Sequence, residues 1–361
     1  MDKKYILMAA IIVLTLISCQ DKAQKKQISN KKPSKEILVS EDEDHGNSID
    51  YDNTKVLETL YVTDRNGTEI KDHANDNSKT LGNYEYGEKL SVIEINENWL
   101  GVMDRITREY TTKDGTKISS NGWEKIYVAR KAAGPISQVY LIQSDLNIIR
   151  YLTINQKTDF FEKGKPLNKY LKIELIDQEL FDSKKNTSIS FLVADTTEIK
   201  KTNGIIELKC ANKIKKFIDK PDAEENREEY KYVGQIDFLN EYVITGSYWE
   251  SSDYKLIDKN TGEQTSSFGE YPFISPDKKH VISIYANPYE STADLELYAI
   301  NKNNKIDPVL NVSFKNWMPS EDLFWSTDNY LYVAVNGTSA YWTADGRLNN
   351  NYQYLRIKVL L

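Results

Sequence analysis

Few side chains in this sequence are of the types that do covalent chemistry. There are two cysteines, Cys19 and Cys210, and three histidines, His45, His73 and His280. Cys210 and His280 are separated by 70 positions, a distance that a thiol nucleophile and its base tolerate. A reactive thiolate, however, is made by a helix N-terminus or an adjacent cation. Cys210 instead ends the strand-like run Ile205-Ile206-Glu207-Leu208-Lys209 and is followed by Ala211-Asn212, so it reads as a structural thiol. His280 sits in the alternating stretch from Lys279 to Ile284 and reads as a strand residue. There is no His-Glu-x-x-His pair, no Gly-x-Ser-x-Gly elbow and no phosphate loop. Three scattered histidines do not make the usual zinc site with a bound water. Glu41-Asp42-Glu43-Asp44 with His45 implies no fixed ligand geometry and reads as solvated linker. Carboxylates are so abundant that sequence spacing carries no information on a general acid and base pair. A non-enzymatic chain without cofactor or metal is the expectation.

Aromatic side chains are the other resource. Of 24 tyrosines and six tryptophans, many fall in connecting segments: Tyr248-Trp249, Tyr285 to Tyr289, Trp317 and Tyr341-Trp342. Such rings offer large contact area at low rotamer cost, which suits recognition. Trp99, Trp123, Tyr248, Trp249, Tyr285, Tyr289 and Trp317 are therefore the candidate binding residues. The competing role for the same rings is packing between sheets.

These residues need elements to hold them, and those elements follow a distinctive N-terminus. Lys3 and Lys4 precede the apolar run Ile6 to Ile17, and Leu16-Ile17-Ser18-Cys19 closes it. The run is short for a confident bilayer span, and the small Ser18 leaves the bond before Cys19 unobstructed. This stretch resembles the bacterial lipoprotein signal. The resemblance implies cleavage after residue 18, acylation (palmitate among the chains) of Cys19, and a lipid anchor in the cell envelope. Gln20 is not the Asp that holds such proteins in the inner membrane of enteric bacteria, so the outer membrane is the expected location. With Cys19 acylated, Cys210 has no partner, and no intrachain disulfide is expected.

The chain carries a formal charge of −7, and loss of residues 1–18 removes two Lys and one Asp, giving −8. An acidic balance without a basic, aromatic-interleaved face excludes nucleic acid as a partner. Residues 19–53 form the lipidated cysteine and a polar tether, too poor in apolar residues to fold. Frequent tyrosines and β-branched residues point to an all-β fold.

Residues 54–133 carry the clearest motif. Leu57, Thr59, Tyr61 and Thr63 alternate as a strand, and Asn66-Gly67 forms a turn. Leu81-Gly82, Gly87, the strand Leu90 to Glu94, Trp99-Leu100-Gly101-Val102, Gly122-Trp123 and Ile126-Tyr127-Val128 follow. The series resembles the bacterial SH3 (SH3b) domain, a small β-barrel. In that barrel Trp99 is expected on the face that fills the core. Two features depart from the family pattern. His73-Ala74 replaces the usual Gly-Pro, and a charged hairpin-like piece from Asp104 to Gly122, turning at Asp114-Gly115, lengthens a loop. The family's neighbourhood here can line a ligand groove, so these departures leave cell-wall binding open.

Gly134-Pro135 marks a boundary, and residues 136–361 form the second unit. Lys165 to Asp182 fits a helix or a strand equally well, Gly204 to Lys209 and Ile214 to Ile218 read as two strands, and Pro221 to Glu229 as a charged loop. Strand pairs recur around turn aspartates 237, 277 and 328, spaced by 40 and 51. Ser275-Pro276-Asp277 is similar to the strand-turn-strand motif of TolB-like and WD40-like β-propellers, in which Asp bonds back to the backbone. That implies a β-propeller-like unit, partial or degenerate, with room for about five blades; a β-sandwich is the alternative. The expected function is a membrane-tethered envelope binding protein whose partner is an envelope protein or peptidoglycan. The alternatives are a peptidoglycan-binding accessory or degenerate hydrolase, and an immunity protein against an envelope-targeted toxin.

Overall fold

The structure is a computed structural model and describes residues 36–38, 47–111, 115–161, 167–221 and 226–361. The signal segment, Cys19, most of the tether, Asp114, Lys165-Pro166 and part of the charged loop after Pro221 lie outside these residues. The fold is all-β: the described strands form five sheets, and the one α-helix among the described residues is Gln178–Lys185. No helix there is long and apolar enough to cross a membrane.

The first sheet runs, edge to edge, Thr80–Tyr84, Thr68–Lys71, Lys117–Ala129, Trp99–Thr111, Lys89–Ile95, Glu58–Val62 and Ala133–Gly134, with Glu36–Leu38 added in parallel beside residues 107–109. Its two edge strands do not pair with each other, so the sheet curls without closing. Facing pairs such as Leu60 with Leu90, Val92 with Val102, and Leu100 with Val128 put alternate aliphatic side chains into one core. This corrects the phase expected from sequence. Leu100 and Val102 line the core, whereas Trp99 is half-buried on the opposite face. Likewise Leu60 and Val62 point inward, while Leu57 is exposed. Tyr61 is buried outside that core, and burial first, with Asp345 of the second unit nearby, disfavours its ionisation. A residue buried on both faces of a strand hides the period-2 signal.

The charged piece from residue 104 to 122 is a hairpin arm. Strands Trp99–Thr111 and Lys117–Ala129 pair without interruption from Trp99 opposite Ala129 to Thr111 opposite Lys117. Residues 47–49 add to its edge: Ile49 N–H donates to the Trp123 carbonyl at 3.0 Å, and Lys125 N–H donates to the Asn47 carbonyl at 2.8 Å.

The second unit is a stack of sheets. Three successive stretches begin with strands at Glu228, Phe273 and Trp317, 45 and 44 residues apart. Each places an aspartate turn between its first and second strands. In the second stretch the Asp277 carboxylate accepts from Ser275 Oγ at 2.7 Å and from Lys279 N–H at 3.2 Å, with Lys278 left-handed at φ 58°. In the third, Tyr330 N–H donates to Asp328 at 3.3 Å. The first stretch forms a four-stranded sheet. The second gains Ile149–Ile154 and Lys157–Phe160 to make six strands, and the third gains Leu171–Ile176 and Ser188–Ile189 to make five. Residues 136–361 thus hold three such sheets and the hairpin Ile205–Lys209/Ile214–Ile218 among the described residues, where the repeat length had room for about five.

Separate cores bind neighbours. Ile206, Leu208 and Phe217 of the hairpin pack on Ile244 and Ile257 of the four-stranded sheet. That sheet's other face, through Val243, Leu256 and Phe268, meets Ile274 and Val281. The six- and five-stranded sheets then share the largest core, from Ile282 and Leu295 to Leu331 and Ile357. The helix Gln178–Lys185, capped by Asp177 accepting from Leu180 N–H at 2.7 Å, seals the far face with Phe181 on Tyr332 and Ala334. Its predecessor Leu171–Ile176 is a strand, so the ambiguous segment contains both elements. The hairpin's outer face carries exposed Ile214 and Ile218. The stack therefore has two ends, and no ring closure joins them among the described residues.

Candidate functional site

The two units meet at a turn that only glycine completes. Gly67 (φ 78°) ends the turn begun by Asp64, and a Cβ there would stand 2.2 Å from the Tyr84 carbonyl oxygen. That turn presents Arg65. Its guanidinium lies 4.0 Å from the ring centre of Tyr86 in the first unit and 4.9 Å from that of Tyr140 in the second. Nη1 donates to Asp145 Oδ2 at 2.9 Å, and Nη2 donates to the Tyr140 carbonyl. The Tyr86 hydroxyl accepts from Tyr140 N–H at 2.7 Å and donates to the Tyr140 carbonyl at 3.0 Å. Arginine held between two rings and bonded to a carboxylate ties the units at one point.

Beside this clasp lies a cleft of about 950 Å³. One wall is Arg65, Glu85 and Tyr86; the other is formed by Tyr140 to Asp145 and by the Glu290–Thr292 and Gly337–Ser339 connections. Arg150 pairs with Glu290 across its floor. Its charged lining is balanced, with Arg65, Arg150 and Lys315 against Glu85, Asp145 and Glu290. A neutral, mixed lining suits recognition of a polar surface rather than attraction of a strongly charged ligand. Among the described residues no cluster of three or more His, Cys, Asp or Glu side chains is arranged to hold a metal ion.

The expected binding residues divide by position. Trp249 and Tyr289 are 62% and 85% exposed, and each tips the connection between the second and third strands of its sheet. Trp342, 45% exposed, occupies the same connection in the third sheet. Repetition thus sets three exposed aromatics on equivalent loops; two of these loops border the cleft through residues 290–292 and 337–339, while the three rings themselves stand outside its lining. Tyr248, just inside the first loop, is partly buried and donates to Asp253 Oδ1 at 3.0 Å. Tyr285 is partly buried on the six-stranded sheet, and burial beside Asp294 holds its hydroxyl neutral well above the usual tyrosine range. Trp317 is fully buried, its ring against Phe314 and its indole N–H donating to the Leu146 carbonyl at 3.1 Å. It packs the core and has no face to give a ligand. Trp123 lies on the hairpin arm, stacked on Tyr51 at 4.3 Å, and Trp99 lies at the arm's base. Neither lines the cleft.

Cys210 is a half-buried free thiol at the hairpin turn, and His280 is a strand residue whose N–H donates to Ser275 Oγ at 3.0 Å. They belong to different sheets. Arg65, Tyr86, Tyr140 and Asp145 escaped the sequence reading. Arg65 lies in the Asn66-Gly67 turn and Tyr140 lies 75 positions later, past the Gly134-Pro135 boundary, so no local pattern pairs them. No family model and no curated protein matches this chain.

Proposed function

We propose that this chain is a non-enzymatic binding protein, anchored in the cell envelope through acylated Cys19, whose SH3b-like first unit and propeller-like second unit together hold an envelope ligand in the cleft between them. The observation that carries this reading is the placement of Trp249, Tyr289 and Trp342 on equivalent loops of successive sheets. A stack that repeats an exposed aromatic at one loop position, with two of those loops also bordering the cleft through residues 290–292 and 337–339, offers a surface for something large that reaches past the cleft's rim. The lipoprotein-like N-terminus supplies the location, and residues 19–53 supply reach.

The test uses the full chain in a bacterial host. Label from palmitate and membrane retention are expected to be lost together in Cys19→Ser. Mild crosslinking of the membrane-bound protein is expected to capture an envelope component, and Tyr289→Ala with Trp342→Ala to lose it while the melting temperature holds. Retention on purified sacculi would identify peptidoglycan as that component. Hydrolysis of sacculi by the purified chain, abolished by removal of one acidic pair, would overturn the binding reading.

A further inference from the structure

The six-stranded sheet has a face only partly covered. Ile274 and Val281, near one edge, pack beneath the four-stranded sheet, but the strands beyond carry a different set of side chains. Residues directly opposite one another form two straight rows across five strands. One row is Phe160, Tyr151, Ser313, Asp294 and Tyr285; the other is Thr158, Thr153, Asn311, Glu296 and Ser283. They lie two residues apart along every strand, about 7 Å, the scale of a single hexose unit.

Each row opens a cavity, of about 300 Å³ at the first and about 490 Å³ at the second. The first is bordered by Phe160, 70% exposed and edge-on to Tyr151 at 6.1 Å. The second is lined by Glu296, Thr153 and three side-chain amides, those of Asn311 and of Asn155 and Gln156 at the hairpin turn. Glu296 is its one charged side chain. Glu296 Oε2 accepts from Gly269 N–H at 3.1 Å and Tyr298 O–H at 3.3 Å, while Asn311 Oδ1 is buried without a partner. A bulge between Leu297 and Tyr298 sets Val309 and Pro308 as an apolar wall.

This combination selects by chemistry. A phosphate or sulfate would meet no cation in the second cavity, and an apolar ligand would strip water from amides and a carboxylate. Hydroxyl groups, which donate and accept, match planar amides and carboxylates, and the C–H face of a sugar ring suits an exposed phenyl ring. We infer that this sheet face is a saccharide site with two subsites, one to each row, taking a linear oligosaccharide laid along the strands. It depends on neither the anchor nor the clasp at Arg65, although the Arg150–Glu290 ion pair borders both the first cavity and the cleft.

Isothermal titration of the full chain with chitotetraose, cellotetraose and maltotetraose tests it. At least one is expected to bind with a dissociation constant between about 10 μM and 1 mM. Phe160→Ala is expected to weaken it about 5-fold without moving the melting temperature, because the ring is largely in solvent. Asn311→Ala and Glu296→Gln are expected to weaken it about 10-fold or more, and the matching monosaccharide to bind about 10-fold more weakly. Arg65→Ala leaves saccharide binding unchanged, which separates this site from the cleft. No binding of any probe at about 10 mM to the folded chain, affinity that survives all three substitutions, or a monosaccharide that binds as tightly as its tetramer each overturns the site.

Discussion

Two buried ionisable residues show how individual side chains set the conditions under which this protein is stable. Glu241 is buried at the start of its strand with Oε2 unpartnered, and burial pushes its carboxyl from 4.5 up to about 8. The folded state therefore binds a proton that the unfolded chain releases between those values. The stabilisation from that proton is full below about pH 4.5, shrinks as pH rises, and is gone above about pH 8. Glu241→Gln removes the dependence. Thermal melts should show the variant matching wild type at acid pH and exceeding it at pH 9, by up to about 5 kcal/mol. Arg108 poses the opposite case. It is 1% exposed and forks onto Glu124 through Nε at 2.8 Å and Nη2 at 2.5 Å, with Nη2 also 2.9 Å from Asp72. Arg108→Ala removes the cation shared by Glu124 and Asp72, leaving Asp72 with the Asn47 amide at 3.1 Å, and denaturant titration should show a loss of about 3 kcal/mol. Neither residue stood out in the sequence, because one charged letter among many does not reveal that tertiary packing has closed over it. Trp317 and Trp249 make the same point for aromatics: both sit between strand-like runs, yet one is sealed in the core and the other stands in solvent.

At the scale of elements the sequence was more legible. The aspartate turns, the hairpin at Ile205–Ile218 and the hairpin arm each follow from local chemistry that neighbours do not override. Asp277 tests this directly. Its carboxylate holds Ser275 and Lys279 across a turn whose central Lys278 is left-handed. Asp277→Ala is expected to destabilise by about 1 kcal/mol, and Lys278→Gly to shift stability by less than about 1 kcal/mol, because relief of that backbone region is set against loss of the ammonium's contacts with the Phe238 and Phe191 rings at 4.7 and 5.2 Å. Both are read from denaturant midpoints with unchanged slopes. What sequence could not supply was strand phase and sheet membership. Strand Glu58–Val62 is buried on both faces at its end, so its alternation gives no unique inward side. Leu171–Ile176 completes a sheet whose other long strands lie some 150 residues later, a pairing that no local pattern encodes.

For the whole molecule, the question is what makes two units one body. Their junction rests on few polar contacts, and two neighbouring side chains collect most of them: Arg65 reaches the Tyr140 ring, the Asp145 carboxylate and the Tyr140 carbonyl, and the Tyr86 hydroxyl bonds the Tyr140 N–H and carbonyl. Lys89 adds a contact to the Ala344 carbonyl at 3.4 Å, and within the second unit the Gln353 amide holds the Leu141 backbone on both sides, next to the residue that Arg65 grips. Each unit has its own core, so their unfolding is coupled only through the junction that Arg65 and Tyr86 centre. Removing it should expose that independence. Arg65→Ala is expected to weaken the junction by about 1–3 kcal/mol and to split a single calorimetric transition into two, with faster proteolysis in residues 134–146. Arg65→Lys keeps the charge but loses the planar group that both rings grip, so it should fall between. Asp145→Asn, which leaves both stacks intact, should cost less than either. If that order holds, the rings rather than the ion pair set the width of the cleft, and ligand binding there should tighten or loosen with the stack. A single unsplit transition in Arg65→Ala would instead place the coupling in the buried Tyr61 and its neighbours around Asp345.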